Sequence, residues 1–287
     1  MIPAPFAYHR PQSLQEAIGL LAQQGQDARV VAGGHSLIPM MKLRLAKPEH
    51  LVDLQDLSEL RGIHNEAGTL VIGAMTTQHE LIGSELVSAS CPIIRETALV
   101  IADPQVRYCG TLGGNLAIGD PGNDMPAVML ALGATYRVRG PQGERDIPAR
   151  DFYRGIYSTA LLDGEILTSI HIPVPADRHG WAYEKQKRKV GDYATAAAAM
   201  ILTMGGGACT SAAIALTNLA DKPLLAREAG EALVGTGIDE AAIADAARRA
   251  QRITSPAADV RGPVDVRVHV AGVMVQHAIV RARARAG

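Results

Sequence analysis

Ala28-Arg29-Val30-Val31-Ala32-Gly33-Gly34-His35-Ser36-Leu37 reads as a short buried strand, Ala28 to Val31, running straight into a glycine turn, with a helix predicted from Leu37 to Leu45. Strand, glycine turn and helix in that order make an anion-binding geometry, because backbone N–H groups converge at the turn and glycine lets the main chain come close. A second glycine turn, Thr111-Leu112-Gly113-Gly114-Asn115, stands far along the chain, after an extended segment predicted for Val106 to Tyr108. Ser36, Thr111 and Asn115 add short side-chain hydrogen bonds beside the glycines. Either turn alone is an ordinary tight turn more often than a ligand site. Together they fit the two halves of one phosphate cradle, and a diphosphate joining two nucleoside-like halves suits it. Neither G-x-x-x-x-G-K-[ST] nor a helix-opening G-x-G-x-x-G occurs, so P-loop and Rossmann readings are excluded.

Bulk composition narrows the classes further. The 287 residues carry 28 basic and 29 acidic side chains, a formal charge of -1, which supplies no general field for nucleic acid or anionic lipid. Trp181 is the only tryptophan, and Phe6 and Phe152 are the only phenylalanines, so the core is aliphatic and base-stacking platforms are not expected. Cys91, Cys109 and Cys209 form no C-x-x-C pair, and the nine histidines form no H-x-x-x-H pair; no disulfide framework, cysteine-held cluster or metal site is expected. The start lacks a basic segment followed by an apolar run, and no stretch reaches the ~18 apolar residues needed to span a bilayer. The expectation is a cytoplasmic protein.

Ser13-Leu14-Gln15-Glu16 has capping-box spacing, and Leu14, Ala17, Ile18 and Leu21 share a face, so a helix is predicted over 13–24 with Gly25 as its stop. Strands are predicted at Leu51 to Leu54 and Thr69 to Gly73, helix over 77–101, and a break at Asp103-Pro104. Asp124 is placed to cap a helix running to Leu132. Ala134 to Arg139 and Glu144 to Ile147 read as a hairpin, and Glu165 to Ile172 as another strand. The polar stretch Ala176 to Gly180, after Pro173 and Pro175, is the expected boundary. Beyond it, Trp181 to Lys187, Thr195 to Met204 and Ala208 to Asn218 read as three strands, with Gly205-Gly206-Gly207 turning the last two. Helices are predicted at Leu224 to Leu233, Asp239 to Ile253 and Val266 to Arg285, the last with Val266, Val270, Val273 and Met274 on one side. Arg281, Arg283 and Arg285 would complement its dipole without partners.

With these segments in view, the chain resembles the FAD-binding medium subunits of molybdenum hydroxylases over essentially its full length. Ala32 to Ser36, Asp103 to Tyr108, Thr111 to Asn115, Gly119 to Pro126 and Lys187 to Thr195 carry the likeness; the last two are the more specific and point to the branch whose holoenzymes oxidise carbon monoxide. The resemblance implies an α+β fold: a two-lobed, PCMH-type FAD-binding domain over 1–177, with lobes of about 1–56 and 57–177, then a C-terminal domain over 178–287 of a three-stranded antiparallel sheet with helices. It implies that Ala32, Gly33, Gly34, His35, Ser36 and Leu37, with Thr111, Leu112, Gly113, Gly114 and Asn115, wrap the FAD pyrophosphate, backbone amides being the main donors.

Asp124 matches an acidic residue that hydrogen-bonds FAD, Leu167 one that packs on the flavin, and Lys185 a lysine near the isoalloxazine carbonyls, where a cation stabilises the reduced anion. Tyr193 is either a cover for the isoalloxazine or a surface-anchored strand tyrosine. His35 has a structural or hydrogen-bonding job, and no catalytic or metal-binding residue is expected. Leu112 stands where isoleucine or valine is common, which alters only packing. The cysteine-bearing insertion of the benzoyl-CoA reductase branch is missing.

By the same resemblance, a large subunit would hold Mo-molybdopterin cytosine dinucleotide with copper, and a small subunit two [2Fe-2S] clusters feeding electrons to the FAD of this chain, which passes them to a quinone. The complex would be a dimer of heterotrimers, peripheral at the inner face of the cytoplasmic membrane. The FAD subunit of a hydroxylase acting on an N-heterocycle or aldehyde, and a flavin-free docking scaffold, stand as alternatives.

Overall fold

The computed structural model describes residues 2–176 and 178–286. Its first sheet is small and parallel, ordered β1-β3-β2 from Ala7–His9 (β1), Ala28–Val31 (β2) and His50–Asp53 (β3). Helix Leu14–Gln24 (α1) covers it with Leu14, Ala17, Ile18 and Leu21, the face that the sequence spacing predicts. Ser13 Oγ accepts the Glu16 N–H at 3.2 Å, while Glu16 turns back to the Gln12 N–H, so only half of the capping box closes. Helix Leu37–Lys42 (α2) follows the first glycine turn and stops short of Leu45, because Arg44 adopts a left-handed φ of 62°.

A second, antiparallel sheet runs β4-β5-β10-β6-β7. Its members are Ile63–Glu66 (β4), Thr69–Gly73 (β5), Thr135–Gly140 (β6), Gly143–Pro148 (β7) and Ile166–Pro173 (β10), with the pair Tyr153–Gly155 (β8) and Ser158–Thr159 (β9) beside it. Between β5 and β6 lie short helices: Gln78–Gly83 (α3), Glu85–Ser90 (α4), Pro92–Val100 (α5), Pro104–Cys109 (α6), Leu112–Ala117 (α7) and Met125–Ala131 (α8); Ala149–Phe152 (α9) follows the hairpin. The continuous helix expected over 77–101 is thus three, restarted by Ser84 as N-cap and by Pro92. The extended segment expected for Val106 to Tyr108 is helical. Asp103-Pro104 starts this helix rather than breaking one: Asp103 Oδ1 accepts the Val106 N–H at 3.0 Å and Pro104 takes the first helical position.

The C-terminal half is a four-stranded sheet, β11-β12-β13-β14, from Gly180–Gln186 (β11), Ala196–Gly205 (β12), Ala208–Thr217 (β13) and Leu224–Leu225 (β14). The fourth strand corrects the expected three. It replaces the start of the helix expected over 224–233, of which only Arg227–Glu231 (α10) is helical. Helices Glu240–Arg252 (α11) and Val264–Arg285 (α12) pack behind.

The alanine run explains itself in β12. Ala197 and Ala199 face the core shared with the second sheet, whereas Ala196, Ala198, Met200 and Leu202 face α12, so both sides of the strand are buried and small residues let both layers approach. Gly180 serves the same crossing: a Cβ there would lie 2.0 Å from the Ala282 carbonyl oxygen on α12.

The buried face of α12 is Ala271, Met274, Val275, Ala278, Ile279 and Ala282; of the face expected from sequence, Met274 is buried but Val266 is 44% exposed. The terminal arginines do have partners. Arg281 Nη1 lies 2.8 Å from Glu184, Arg285 Nη2 2.8 Å from Glu96, and Arg283 donates to the Ile238 carbonyl.

Cys91 and Cys209 are buried and Cys109 is exposed, all as free thiols; burial pushes the Cys91 thiol up to about 12. No metal-holding cluster occurs among the described residues, and none of the described helices is long and apolar enough to cross a membrane.

Arginine hydrogen bonds hold several carboxylates below their ordinary range: Arg145 on Glu165, Arg137 on Asp146 and Arg249 on Asp245, each working against partial burial. A depressed folded-state pKa stabilises the fold above the unfolded value, about 4 for a carboxylate, and that stability is lost as pH falls through the folded value. Burial, then Arg137, lowers the His171 imidazole, so thermal melts should decline modestly as pH falls below about 6.5 and steeply below about pH 4 as the carboxylates protonate. A melting temperature unchanged at pH 3 would contradict this.

Candidate functional site

A cleft of about 860 Å³ opens between the three sheets. The first glycine turn forms one wall. Gly34 sits at φ 72°, which a side chain would strain. Gly33 is packed against the chain just before the second turn: a Cβ there would lie 2.2 Å from the Cys109 carbonyl oxygen and 2.8 Å from Gly110 Cα. The two turns, distant in sequence, thus meet backbone to backbone.

Their hydrogen bonding is unequal. From Gly33 to Leu37, no backbone N–H finds an acceptor among the described residues. In the second turn the backbone donors from Leu112 to Asn115 are all used within the chain. Leu112 N–H goes to Thr76 O, Gly113 N–H to Ala74 O, Gly114 N–H to Thr111 Oγ1 at 3.0 Å and Asn115 N–H to Thr111 O. Unpaired amide donors are therefore concentrated in the first turn, with Thr111 N–H the one backbone donor of the second without an acceptor among the described residues. The second offers side chains instead, because Thr111 caps α7 and ties its own amides down.

Ala32, Gly33, Gly34, His35, Ser36, Leu37, Thr111, Gly114, Asn115, Asp124, Lys185 and Tyr193 all line the cleft. Leu112, Gly113 and Leu167 do not. Leu112 and Leu167 are buried in the main core, and Gly113 lies on Ala74, where a Cβ would be 2.6 Å from the alanine methyl carbon. Leu167 flanks a register shift in β10 between residues 167 and 169, which sets the direction of its side chain.

Deep in the cleft, Lys185 Nζ lies 2.7 Å from Asp124 Oδ2, with side chains only 3% and 5% exposed. Tyr183, two residues before Lys185 on the same face of β11, donates its hydroxyl to Asp124 Oδ1 at 2.5 Å. Burial, then the Asp124 charge, raises the Tyr183 phenol well above its ordinary range, so it keeps the proton that it donates. Asp124 thus does not cap α8 with its side chain, as the sequence suggested; its carboxylate is spent on Lys185 and Tyr183. The lysine is correspondingly half of an ion pair rather than an isolated cation.

At the mouth, Tyr193 and Tyr157 both donate to Asp120 Oδ2, at 3.1 and 3.3 Å. Tyr193 is 40% exposed, and the Asp120 bond ties it to the turn that precedes Asp124.

Two polar side chains in the wall have buried atoms without a partner among the described residues. Asn115 Oδ1 is buried and unbonded, and so are both amide atoms of Gln78. A buried amide without a partner costs about 1–3 kcal/mol, which a guest hydrogen bond removes. Gln78 escapes a sequence search because it stands in the first turn of α3, where a polar residue is ordinary. Its neighbour Thr77, capping that helix and bridged to Thr111, is the available signal.

The fold and this cleft define a class. Residues 4–175 match the family described as FAD binding domain in molybdopterin dehydrogenase, and residues 181–282 match the CO dehydrogenase flavoprotein C-terminal domain. The chain belongs to this family of FAD-binding subunits.

Among its relatives is the carbon monoxide dehydrogenase medium chain of Afipia carboxidovorans, 60% identical across 100% of this chain and 99% of that one. The carbon monoxide dehydrogenase medium chain of Hydrogenophaga pseudoflava is 48% identical, across 99% of each chain. A solved structure of reconstituted CO dehydrogenase from Oligotropha carboxidovorans superimposes with a TM-score of 0.99 at 61% identity, covering 99% of this chain and 100% of that one.

Proposed function

We propose that this chain is the FAD-carrying medium subunit of an aerobic carbon monoxide dehydrogenase. In this reading it takes electrons from the [2Fe-2S] clusters of a small subunit and passes them to a quinone. A large subunit bearing molybdopterin cytosine dinucleotide and copper performs the oxidation, in a dimer of heterotrimers at the inner face of the cytoplasmic membrane. High identity over the whole length of two carbon monoxide dehydrogenase medium chains favours this substrate over an N-heterocycle or aldehyde.

The observation that carries the cofactor assignment is the set of unsatisfied donors and acceptors facing one cleft. The open N–H groups from Gly33 to Leu37 would hold the diphosphate, and Asn115 and Gln78 would supply amide contacts. These features also weigh against a flavin-free scaffold, for which unpaired buried groups are pure cost. When bound, the flavin supplies a carrier that accepts and releases electrons singly or in pairs.

The chain's own residues hold that carrier and set its surroundings. Lys185 and Asp124 set a buried ion pair in the wall, and the ammonium end, its direction fixed by Asp124, would donate a hydrogen bond to a flavin carbonyl or to negative charge placed against it. Tyr193 and Tyr157 narrow the mouth.

The test is isolation of the native complex, with flavin, molybdenum and copper content and carbon monoxide oxidation measured together. FAD near one per copy of this chain, with a co-purifying copper- and molybdenum-bearing large subunit, is expected; a complex without extractable flavin would reject the assignment. Within it, Gly114→Val is expected to lose flavin. A Cβ at Gly114 already lies 2.8 Å from Thr111 Oγ1 and 3.7 Å from the Ala32 methyl, so a branched side chain breaks the cap and fills the space between the turns. Normal FAD content in that variant would count against the cradle.

A further inference from the structure

The strap between β11 and β12 is exposed from Arg188 to Gly191, yet Gly191, Asp192 and Tyr193 line the cleft. Beside the Tyr193 bond to Asp120 and the Lys187 Nζ bond to the Val100 carbonyl, a second set of anchors comes from the far end of the chain. Asp192, with a side chain 9% exposed, takes Arg188 Nε at 3.0 Å and Arg261 Nη2 at 3.5 Å. Arg188 Nη1 in turn donates to the Val260 carbonyl at 2.8 Å. The Arg261 guanidinium lies 5.6 Å from the centre of the Tyr193 ring.

Arg261 is itself braced. Asp259 receives both its backbone N–H and Nη1 at 2.7 Å, and the buried Arg267 stands 3.6 Å from Asp259 while bonding the carbonyls of Thr195, Ala257 and Asn218. Neither Asp259 nor Arg261 lines the cleft, so any influence on it passes through Asp192 and Tyr193.

We propose that Arg261 is a positioning residue for the cleft: by bridging Asp192 and Asp259 and lying against Tyr193, it latches the 187–193 strap across the mouth and sets how long a bound flavin stays. This rests on the flavin assignment above for its consequence, though not for the latch itself. The latch joins the C-terminal half of the chain to the mouth of a cleft whose phosphate-facing turns lie in the other half.

Two measurements test it on Arg261→Gln and Arg261→Lys. The first is trypsin cleavage of the flavin-free chain after Lys187, Arg188 and Lys189, scored by mass. Arg261→Gln should accelerate these cuts about tenfold, the scale of losing a charge-assisted bond and a cation–ring contact together, with cleavage elsewhere unchanged apart from the site that the substitution itself removes after residue 261. The second is the rate of flavin release on dilution of the loaded complex, followed by FAD fluorescence. It should rise by a similar factor in Arg261→Gln and by less in Arg261→Lys, which keeps the charge but loses the planar group.

Wild-type cleavage and wild-type release in Arg261→Gln would overturn the proposal. So would cleavage accelerated equally over the whole chain, which marks a general loss of stability. If the unaltered protein takes up no flavin, the cofactor assignment fails, and the trypsin result still decides the latch.

Discussion

Gly33→Ala is expected to empty the cleft of flavin. The added Cβ would lie 2.2 Å from the Cys109 carbonyl oxygen and 2.8 Å from Gly110 Cα, and both atoms are backbone. That backbone is fixed: Gly110 N–H bonds Val106 O at 2.7 Å, and Gly110 O receives Gln78 N–H at 2.8 Å. Overpacking costs about 1–3 kcal/mol even where flexible side chains yield. Here the two turns must move apart, and each 1.4 kcal/mol of lost binding is about tenfold in affinity. Flavin titrations of wild type, Gly33→Ala and Gly19→Ala would measure it. Gly19 lies on α1 with open space around its Cβ position, so its substitution should leave binding intact. Full flavin content in Gly33→Ala would mean that the turns need not meet.

The second large effect is expected from Asp124→Ala. It strands the Lys185 ammonium in a site where the side chain is 3% exposed, and deprives the Tyr183 hydroxyl of its 2.5 Å acceptor. Removing one partner of a buried pair costs about 3–5 kcal/mol, whereas replacing both with apolar residues of similar volume is often near neutral. Urea unfolding should therefore show a large loss in Asp124→Ala and substantial recovery in Asp124→Leu with Lys185→Met. Flavin binding should stay impaired in the double variant, because the directed charge is gone. A change under about 0.5 kcal/mol in Asp124→Ala would place the pair among surface-like contacts and refute its role.

Local order was legible wherever the deciding forces were local. The α1 face, the strand running into Ala32, the β6–β7 hairpin and the β12–β13 pair all follow from spacing and turn residues. The meaning of Asp103-Pro104 is also local, yet spacing alone does not decide it. The pair both ends and begins helices, and only the Val106 N–H on Asp103 shows which.

The pairing of Asp124 with Lys185, 61 positions apart, and of Arg285 with Glu96 could not be read from spacing, since each depends on how sheets and helices stack. Nor could sequence say that the second glycine turn spends its own amides. Thr111 beside Gly114 looks the same in either case until the Ala74 and Thr76 carbonyls are in place.

That asymmetry between the turns bears on how an anion is received. One jaw, from Leu112 to Asn115, is closed by bonds to its own chain; the other, from Gly33 to Leu37, holds its donors unpaired toward the cleft. An anion arriving there would complete hydrogen bonding at that segment without displacing any bond the protein already makes, so the fold reserves the site at the cost of leaving those amides to solvent until it is filled.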